Sequence, residues 1–373
     1  MRGSRAASVS GQPQKWRDGQ RESTSAGASG RTRILFASVA FATVPGLAAR
    51  LGQRYIVKTV TLWLPGRNRA FSGKLGLGIA AVIHFIRLLR CPAAYDPRTP
   101  LITDSAHYPC LLLARTLSLF GMQKNVYLFN FYIHRMGNRR YVRRILRWLI
   151  GSNVSIMTQS SSERDYFLDL APTADIRYFP YCRGPIEAVD ANAIQFGNYV
   201  FAGGYTNRDY AILIAAARAL PDVPFVLVSS RLNRISEAIP PNILHLQDVD
   251  LRQFQNLLAG CRLVVIPLKE NVGSSGQMVA LAGMQFAKSV IYPDFDVVAQ
   301  YFVNGVSGVS YVAGSAESLR ETIRQLYPDR DRLLAIGARA RQRWATHFTM
   351  ARFESALSEH IDEVLERSHQ RVH

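Results

Sequence analysis

Apolar and polar positions follow two rhythms along this chain: short runs rich in Val, Ile, Leu and Phe, and longer stretches with apolar residues three and four apart. The short runs read as strands buried on both faces and the longer ones as amphipathic helices. This pattern predicts strands over 33–38, 55–63, 100–104, 125–130, 153–158 and 175–179, with helices over 41–52, 74–90, 107–120, 139–150 and 162–170 between them. A second series predicts strands at 198–202, 224–229, 242–246, 262–267 and 289–292 and helices at 207–220, 250–260 and 276–286, followed by helices near 296–303, 315–326 and 329–345. Strands alternating with helices specify parallel sheets with crossover connections. The expected fold class is therefore α/β, with two doubly wound Rossmann-like domains, 32–183 and 198–345. The weakly patterned stretch 184–197, which follows Arg183, is the linker between them. An amphipathic stretch over 349–367 predicts a last helix within 346–373, and no repeat of solenoid length is visible.

One segment carries most of the chemistry. The strand Arg262 to Pro267 leads through Lys269, Glu270, Asn271 and Gly273 into Ser274-Ser275-Gly276-Gln277, and a small-residue helix and the buried run Val290-Ile291 follow. Freed N–H groups and the positive end of the helix dipole suit an anion at such a start. Hydroxyls, a glycine and those N–H groups make Ser274, Ser275, Gly276 and Gln277 a candidate phosphate cradle, the alternative being an ordinary helix cap.

This segment resembles the donor site of the GT-B nucleotide-sugar glycosyltransferases, in particular the large bacterial group-one class. Tyr199-Val200-Phe201-Ala202-Gly203-Gly204-Tyr205-Thr206-Asn207-Arg208-Asp209-Tyr210 resembles that family's first donor-domain strand and glycine turn. The likeness covers about residues 197–345, whereas 32–183 share only the strand and helix rhythm. It implies a donor-binding second domain, an acceptor-binding first domain, and a C-terminal helix that crosses back to the first. Gly203 and Gly204 then contact phosphate or sugar, or alternatively serve only the docking of a helix. Family members place an Arg after this glycine and a Lys soon after. Tyr205 and Asp209 stand near those places here, so Arg208 or Lys269 must supply the cation for the diphosphate. The family's ribose-gripping Glu is replaced by Ala282, and its acidic partner eight positions earlier by Ser274. The retaining outcome therefore does not carry over.

In the first domain, Asp104 closes a strand and His107 opens the next helix, so both are expected to face the cleft. A transferase needs a base for the acceptor hydroxyl, and Asp104, then His107, are the candidates. A cap at Asp104 and a packed histidine at His107 are the alternatives. Asn130, Tyr132 and His134, after the following strand, are candidate acceptor contacts.

Net charge sharpens this division. The chain of 373 residues carries +18 overall; residues 1–186 hold 27 Lys and Arg against 8 Asp and Glu, net +19, and the remainder 18 against 19, net −1. The densest run is Arg135, Arg139, Arg140, Arg143, Arg144 and Arg147, interleaved with Tyr141, Val142, Ile145, Trp148 and Leu149. Of these, Arg139, Arg140, Arg143, Arg144 and Arg147 are the candidate contacts to an anionic membrane surface, or else a solvated helix face. No nucleic-acid-binding signature accompanies the charge, so no nucleic-acid partner is expected.

Residues 1–31 read as a basic disordered tail. Arg31 to Ala49 imitates a signal peptide but is broken by Pro45 and Gly46, and 75–89 is shorter than the roughly 20 apolar residues of a spanning helix. Four dispersed cysteines suggest neither disulfides nor a metal site. The resemblance implies a bacterial, metal-independent glycosyltransferase without cofactor, and the cysteines and the basic first half place it as cytoplasmic and peripheral on the inner face of the plasma membrane. It would move sugar from a nucleotide-diphosphate donor to a lipid-linked or polysaccharide acceptor in cell-surface glycan synthesis. A nucleotide-sugar epimerase or phosphorylase of the same fold, or a catalytically degenerate sugar-nucleotide binder, are the alternatives.

Overall fold

The computed structural model describes residues 31–39, 47–62, 74–129, 131, 140–186, 197–271 and 275–370. The tail 1–30, acceptor candidates Asn130, Tyr132 and His134, Arg139 of the basic run and Ser274 of the cradle lie outside these residues.

Runs of Val, Ile, Leu and Phe form a first parallel sheet of six strands: β1 (Arg33–Val39), β2 (Ile56–Leu62), β3 (Leu101–Thr103), β4 (Val126–Phe129), β5 (Val154–Thr158) and β6 (Asp175–Tyr178), in the order β2-β1-β3-β4-β5-β6. β1, β3, β4 and β5 are buried on both faces, which is why they lack polar alternation. α2 (Lys74–Leu89), α3 (His107–Leu119), α4 (Arg140–Leu149) and α5 (Ser161–Leu170) cover one face, and their core includes Leu88, Leu111, Leu146 and Phe167. α1 (Leu47–Leu51) lies on the other.

The second sheet contains β7 (Val200–Gly203), β8 (Phe225–Ser229), β9 (Ile243–Gln247), β10 (Leu263–Val265), β11 (Val290–Pro293) and β12 (Val309–Tyr311), ordered β12-β11-β10-β7-β8-β9. Counted from its own first strand this is 6-5-4-1-2-3, the doubly wound order with a switch point between β7 and β10. Its helices are α6 (Tyr210–Arg218), α7 (Leu251–Ala259), α8 (Gln277–Gln285), α9 (Asp296–Ala299), α10 (Ala316–Leu326) and α11 (Arg330–His347). The edge strand β12 is absent from the sequence expectation, because three residues between glycine-containing turns carry too little pattern to announce a strand.

α12 (Met350–Gln370) returns to the first domain. Phe353, Leu357, Ile361 and Leu365, each four apart, share one core with Ile34, Phe36, Tyr127 and Phe129 of the first sheet. Polar contacts fix its register. Tyr55 Oη donates to Asp362 Oδ1 at 2.7 Å, and Arg177 pairs with Glu363 at 2.6 Å. Buried His360 lies between Tyr127 Oη and Asp175 Oδ2.

Candidate functional site

The two loops that leave the second sheet at its switch point are stitched together. Asn207, at φ 54°, donates its side-chain amide to Glu270 O at 2.8 Å, and its Oδ1 accepts from Glu270 N at 3.2 Å. Asp209 N reaches Pro267 O, and Asp209 Oδ1 caps α6 by accepting from Ile212 N. The aspartate standing near the family's lysine is thus a helix cap.

Arg208 dominates the crevice. Its Nε donates to Gly203 O at 3.1 Å and its Nη1 to Thr206 O at 2.8 Å, and the residue is 8% exposed. No carboxylate among the described residues pairs with it. Burial lowers its pKa, partly offset by Tyr210 and Tyr311, but a guanidinium remains charged at neutral pH. A buried charge is ordinarily paired, so this cation is suited to an anion supplied from outside. Gly204 has φ +148°, and a Cβ there would fall within the van der Waals radius of the Arg208 guanidinium. The glycine therefore makes room for the arginine. Tyr210 Oη, 3.0 Å from Gly204 O and 3.1 Å from Val228 O, holds the turn from behind. Lys269 is exposed, so of the two cations only Arg208 is built into the turn. Beside it, a recess lined by Gly204, Tyr205, Ser229, Ser230, Val249 and Phe254 opens along the ends of β7 and β8.

Across the switch point, α8 begins at Gly276 in the left-handed region, φ +83°, where a side chain would press on Ile266 and Leu268. Ser275 precedes it, half-buried. Gln277 turns away from the sheet, and its Nε2 donates to Gln159 O of the first domain at 3.2 Å, beside Gln300 Nε2 at 3.4 Å. The side chain therefore joins the domains, while its backbone N–H stays at the helix start. Ala282 is 2% exposed within α8 and packs into the core.

In the first domain, Asp104 lies at the switch point between β1 and β3. Ser105 Oγ donates to Asp104 Oδ1 at 2.7 Å, and Ser38 Oγ is 3.4 Å from Ser105 Oγ. Asp104 does not cap α3; Thr103 Oγ1 instead accepts from Ala106 N at 2.8 Å. Against the expectation that both face the cleft, both are buried, Asp104 at 3% and His107 at 9% exposure. The His107 Nε2–H donates to Phe129 O at 2.8 Å, a direction fixed because a carbonyl only accepts. Burial pushes its pKa down to about 4. Among the described residues no group of three or more His, Cys, Asp or Glu is placed to hold a metal ion.

The buried neutral ring of His107 carries a pH prediction. Its folded pKa lies below the ordinary value near 6.5, so its contribution to stability is complete above pH ~6.5 and is lost as pH falls towards 4, at about 1.4 kcal/mol per unit. The urea midpoint is therefore expected to fall between pH 6.5 and 4. His107→Gln, which keeps an amide donor for Phe129 O, should flatten part of that fall. Equal slopes in both proteins would show that the ring is not held neutral.

Of the basic run, Arg143 pairs with Asp169 at 2.6 Å and lies over Tyr166, and Arg147 Nε donates to Leu170 O. Both reinforce the packing of α4 on α5. Arg140 and Arg144 are exposed.

No family profile matches the chain, and no curated protein matches it in sequence. Solved structures do match in shape. The sucrose-phosphate synthase of Thermosynechococcus elongatus is 12% identical, with a TM-score of 0.66 over 90% of this chain and 100% of its own. Anabaena HepE, solved with UDP and glucose, is 15% identical, with a TM-score of 0.62 over 89% of this chain and 100% of its own. A glycosyltransferase of Rickettsia africae is 13% identical, with a TM-score of 0.60 over 89% of this chain and 99% of its own. At these identities the likeness establishes the fold, two Rossmann-like domains of the GT-B type.

Proposed function

We propose that this GT-B-fold protein is a glycosyltransferase that takes its sugar from a nucleotide-diphosphate donor held at the switch point between β7 and β10. The observation that carries this reading is Arg208, a buried guanidinium without a carboxylate partner among the described residues, seated against Gly204. Its remaining capacity and the N–H groups at the start of α8 would meet the diphosphate from two sides. Solved relatives in shape give the reading further support, since HepE is seen with UDP-glucose and the pneumococcal O-GlcNAc transferase GtfA with UDP and GlcNAc.

In the reaction, an acceptor hydroxyl oxygen bonds to the anomeric carbon as the bond from that carbon to the diphosphate oxygen breaks. The electron pair leaves on the diphosphate, and Arg208 stabilises that charge as it develops. Charge neutralisation by a guanidinium and a helix dipole requires neither a metal nor a cofactor. The acceptor proton passes to Asp104, which Ser105 orients at the switch point of the first sheet. His107 is not assigned a role because its ring N–H is committed to Phe129 O. We place a lipid-linked or polysaccharide acceptor of cell-surface glycan synthesis in the basic first domain, on the cytoplasmic side of a bacterial membrane, with exposed Arg140 and Arg144 towards the lipid. No helix among the described residues is long and apolar enough to cross a membrane.

Calorimetric titration with UDP, GDP and TDP sugars in the presence of a chelator tests this function. One nucleotide class should bind and be consumed when acceptor is supplied, and Gly204→Ala should weaken its binding more than about tenfold by displacing the Arg208 guanidinium. Failure of every nucleotide sugar to bind would reject the function. Binding without transfer or hydrolysis under any acceptor condition would favour the degenerate binder, a reading that Ala282 supports.

A further inference from the structure

The side of the first domain opposite α12 is a layer of parallel crossover helices, in which α2 packs against α3 and α3 against α4. Helices in such a layer ordinarily turn their apolar stripe to the sheet and a polar face to water. These three have a second apolar stripe on the outside. On α2, Ile79, Val82, Ile83 and Ile86 are exposed at three- and four-residue spacing, Val82 by 58%, while His84 and Leu88 face inward. α3 continues the stripe with Leu112 and Leu119 and ends on Phe120, 75% exposed. α4 adds Tyr141, Ile145 and Trp148, spaced four and three apart. Arg115 of α3 lies over the Trp148 ring at 5.1 Å, so the last two stripes form one surface.

Charge on this layer has one sign. α2, α3 and α4 contain no Asp or Glu, while Arg87, Arg90, Arg140, Arg144 and Arg147 are exposed along them. Acidic residues return only on the neighbouring α5, with Glu163, Asp165 and Asp169. Apolar stripes bordered by cations complement a surface that is apolar beneath an anionic shell. A second copy of the chain fits poorly, because an isologous pairing would set these arginines against one another without counter-charge.

We propose that the outer surface of α2, α3 and α4 docks on an anionic bilayer, seating its apolar stripes at the boundary between headgroups and acyl chains while the arginines pair with lipid phosphates. The proposal rests on the reading of the first domain as the membrane-side domain. It moves the contact from a row of arginines to three helices, with α2 as an inserting element. A bilayer held in this way would present lipid-linked acceptors beside the domain that receives them.

Flotation of the full chain with phosphatidylcholine vesicles, with and without phosphatidylglycerol, tests the proposal. Wild-type protein should float far more strongly with the phosphatidylglycerol vesicles than with phosphatidylcholine alone, and high salt should lower binding to the phosphatidylcholine level, since screening removes the arginine contribution but not the apolar one. Val82→Asp with Ile86→Asp should lower the bound fraction about tenfold or more at unchanged urea midpoint, since both side chains are exposed. Arg140→Gln with Arg144→Gln should lower binding at low salt only. Wild-type protein that stays unbound, or a Val82/Ile86 variant that floats undiminished, would overturn the proposal. So would sedimentation showing a wild-type dimer that the variant converts to monomer. Nucleotide-sugar binding should be the same in wild type and variants, so a protein that floats but binds no nucleotide sugar would refute the proposed function and not the docking face.

Discussion

Arg208→Gln is expected to lower kcat/KM for sugar transfer by roughly 10² to 10³, the cost of removing one preorganised electrostatic group from a developing negative charge. Glutamine retains a donor amide and most of the side chain's volume, so the contact with Gly203 O can be kept while the charge is lost. Two outcomes separate a catalytic from a structural role. If Arg208 meets the diphosphate, affinity for the free nucleoside diphosphate falls along with kcat/KM, and the urea midpoint stays or rises because a buried charge has been removed. If the residue only braces the turn through Gly203 and Thr206, stability falls and the affinity of the correctly folded fraction is unchanged.

The largest effect on stability is expected at α12. Leu357 is fully buried in the core that the helix shares with the first sheet, so Leu357→Asp places a carboxylate where no partner waits. The expected cost is about 4 kcal/mol or more of unfolding free energy, read from urea denaturation, against less than about 1.5 kcal/mol for the volume-conserving Leu357→Met. The damage should be directional. α12 is tied to the first sheet by Tyr55, Arg177 and His360 and to the second domain through the chain at Phe348, so its release should expose protease sites beyond Phe348 before the second sheet unfolds. If the variant is as resistant as wild type, the helix does not clasp the first domain in solution.

Most of this architecture was legible because doubly wound sheets write themselves plainly. β5 and β8 are uninterrupted runs buried on both faces, and helices such as α10 and α12 keep apolar residues on one side. Helix α8 and the Gly203-Gly204 turn were legible for a related reason, as only small residues permit the close approaches found there. What the pattern concealed depends on the third dimension. Nothing local distinguishes Arg208 from the exposed Lys269, since the burial of one comes from Gly204 and Leu268 closing around it. His107 reads as a cleft residue by its place at a helix start, yet the carbonyl of Phe129, on a different strand, turns it inward. Gln277 sits in the segment read as a candidate phosphate cradle and sends its side chain to Gln159, more than a hundred residues earlier in the chain. The outward stripe of α2 was hidden too, because an apolar helix reads alike whether it faces the core or leaves one side bare.

The central claim is that the donor's diphosphate lies on Arg208 at the switch point of the second sheet. A crystal structure of the protein with the nucleotide sugar selected by titration measures this directly. The account predicts a phosphate oxygen within about 3 Å of the Arg208 guanidinium, with the backbone of Gly204 and the start of α8 on either side. A nucleotide bound with its phosphates away from Arg208, or seated in the first domain, would contradict it.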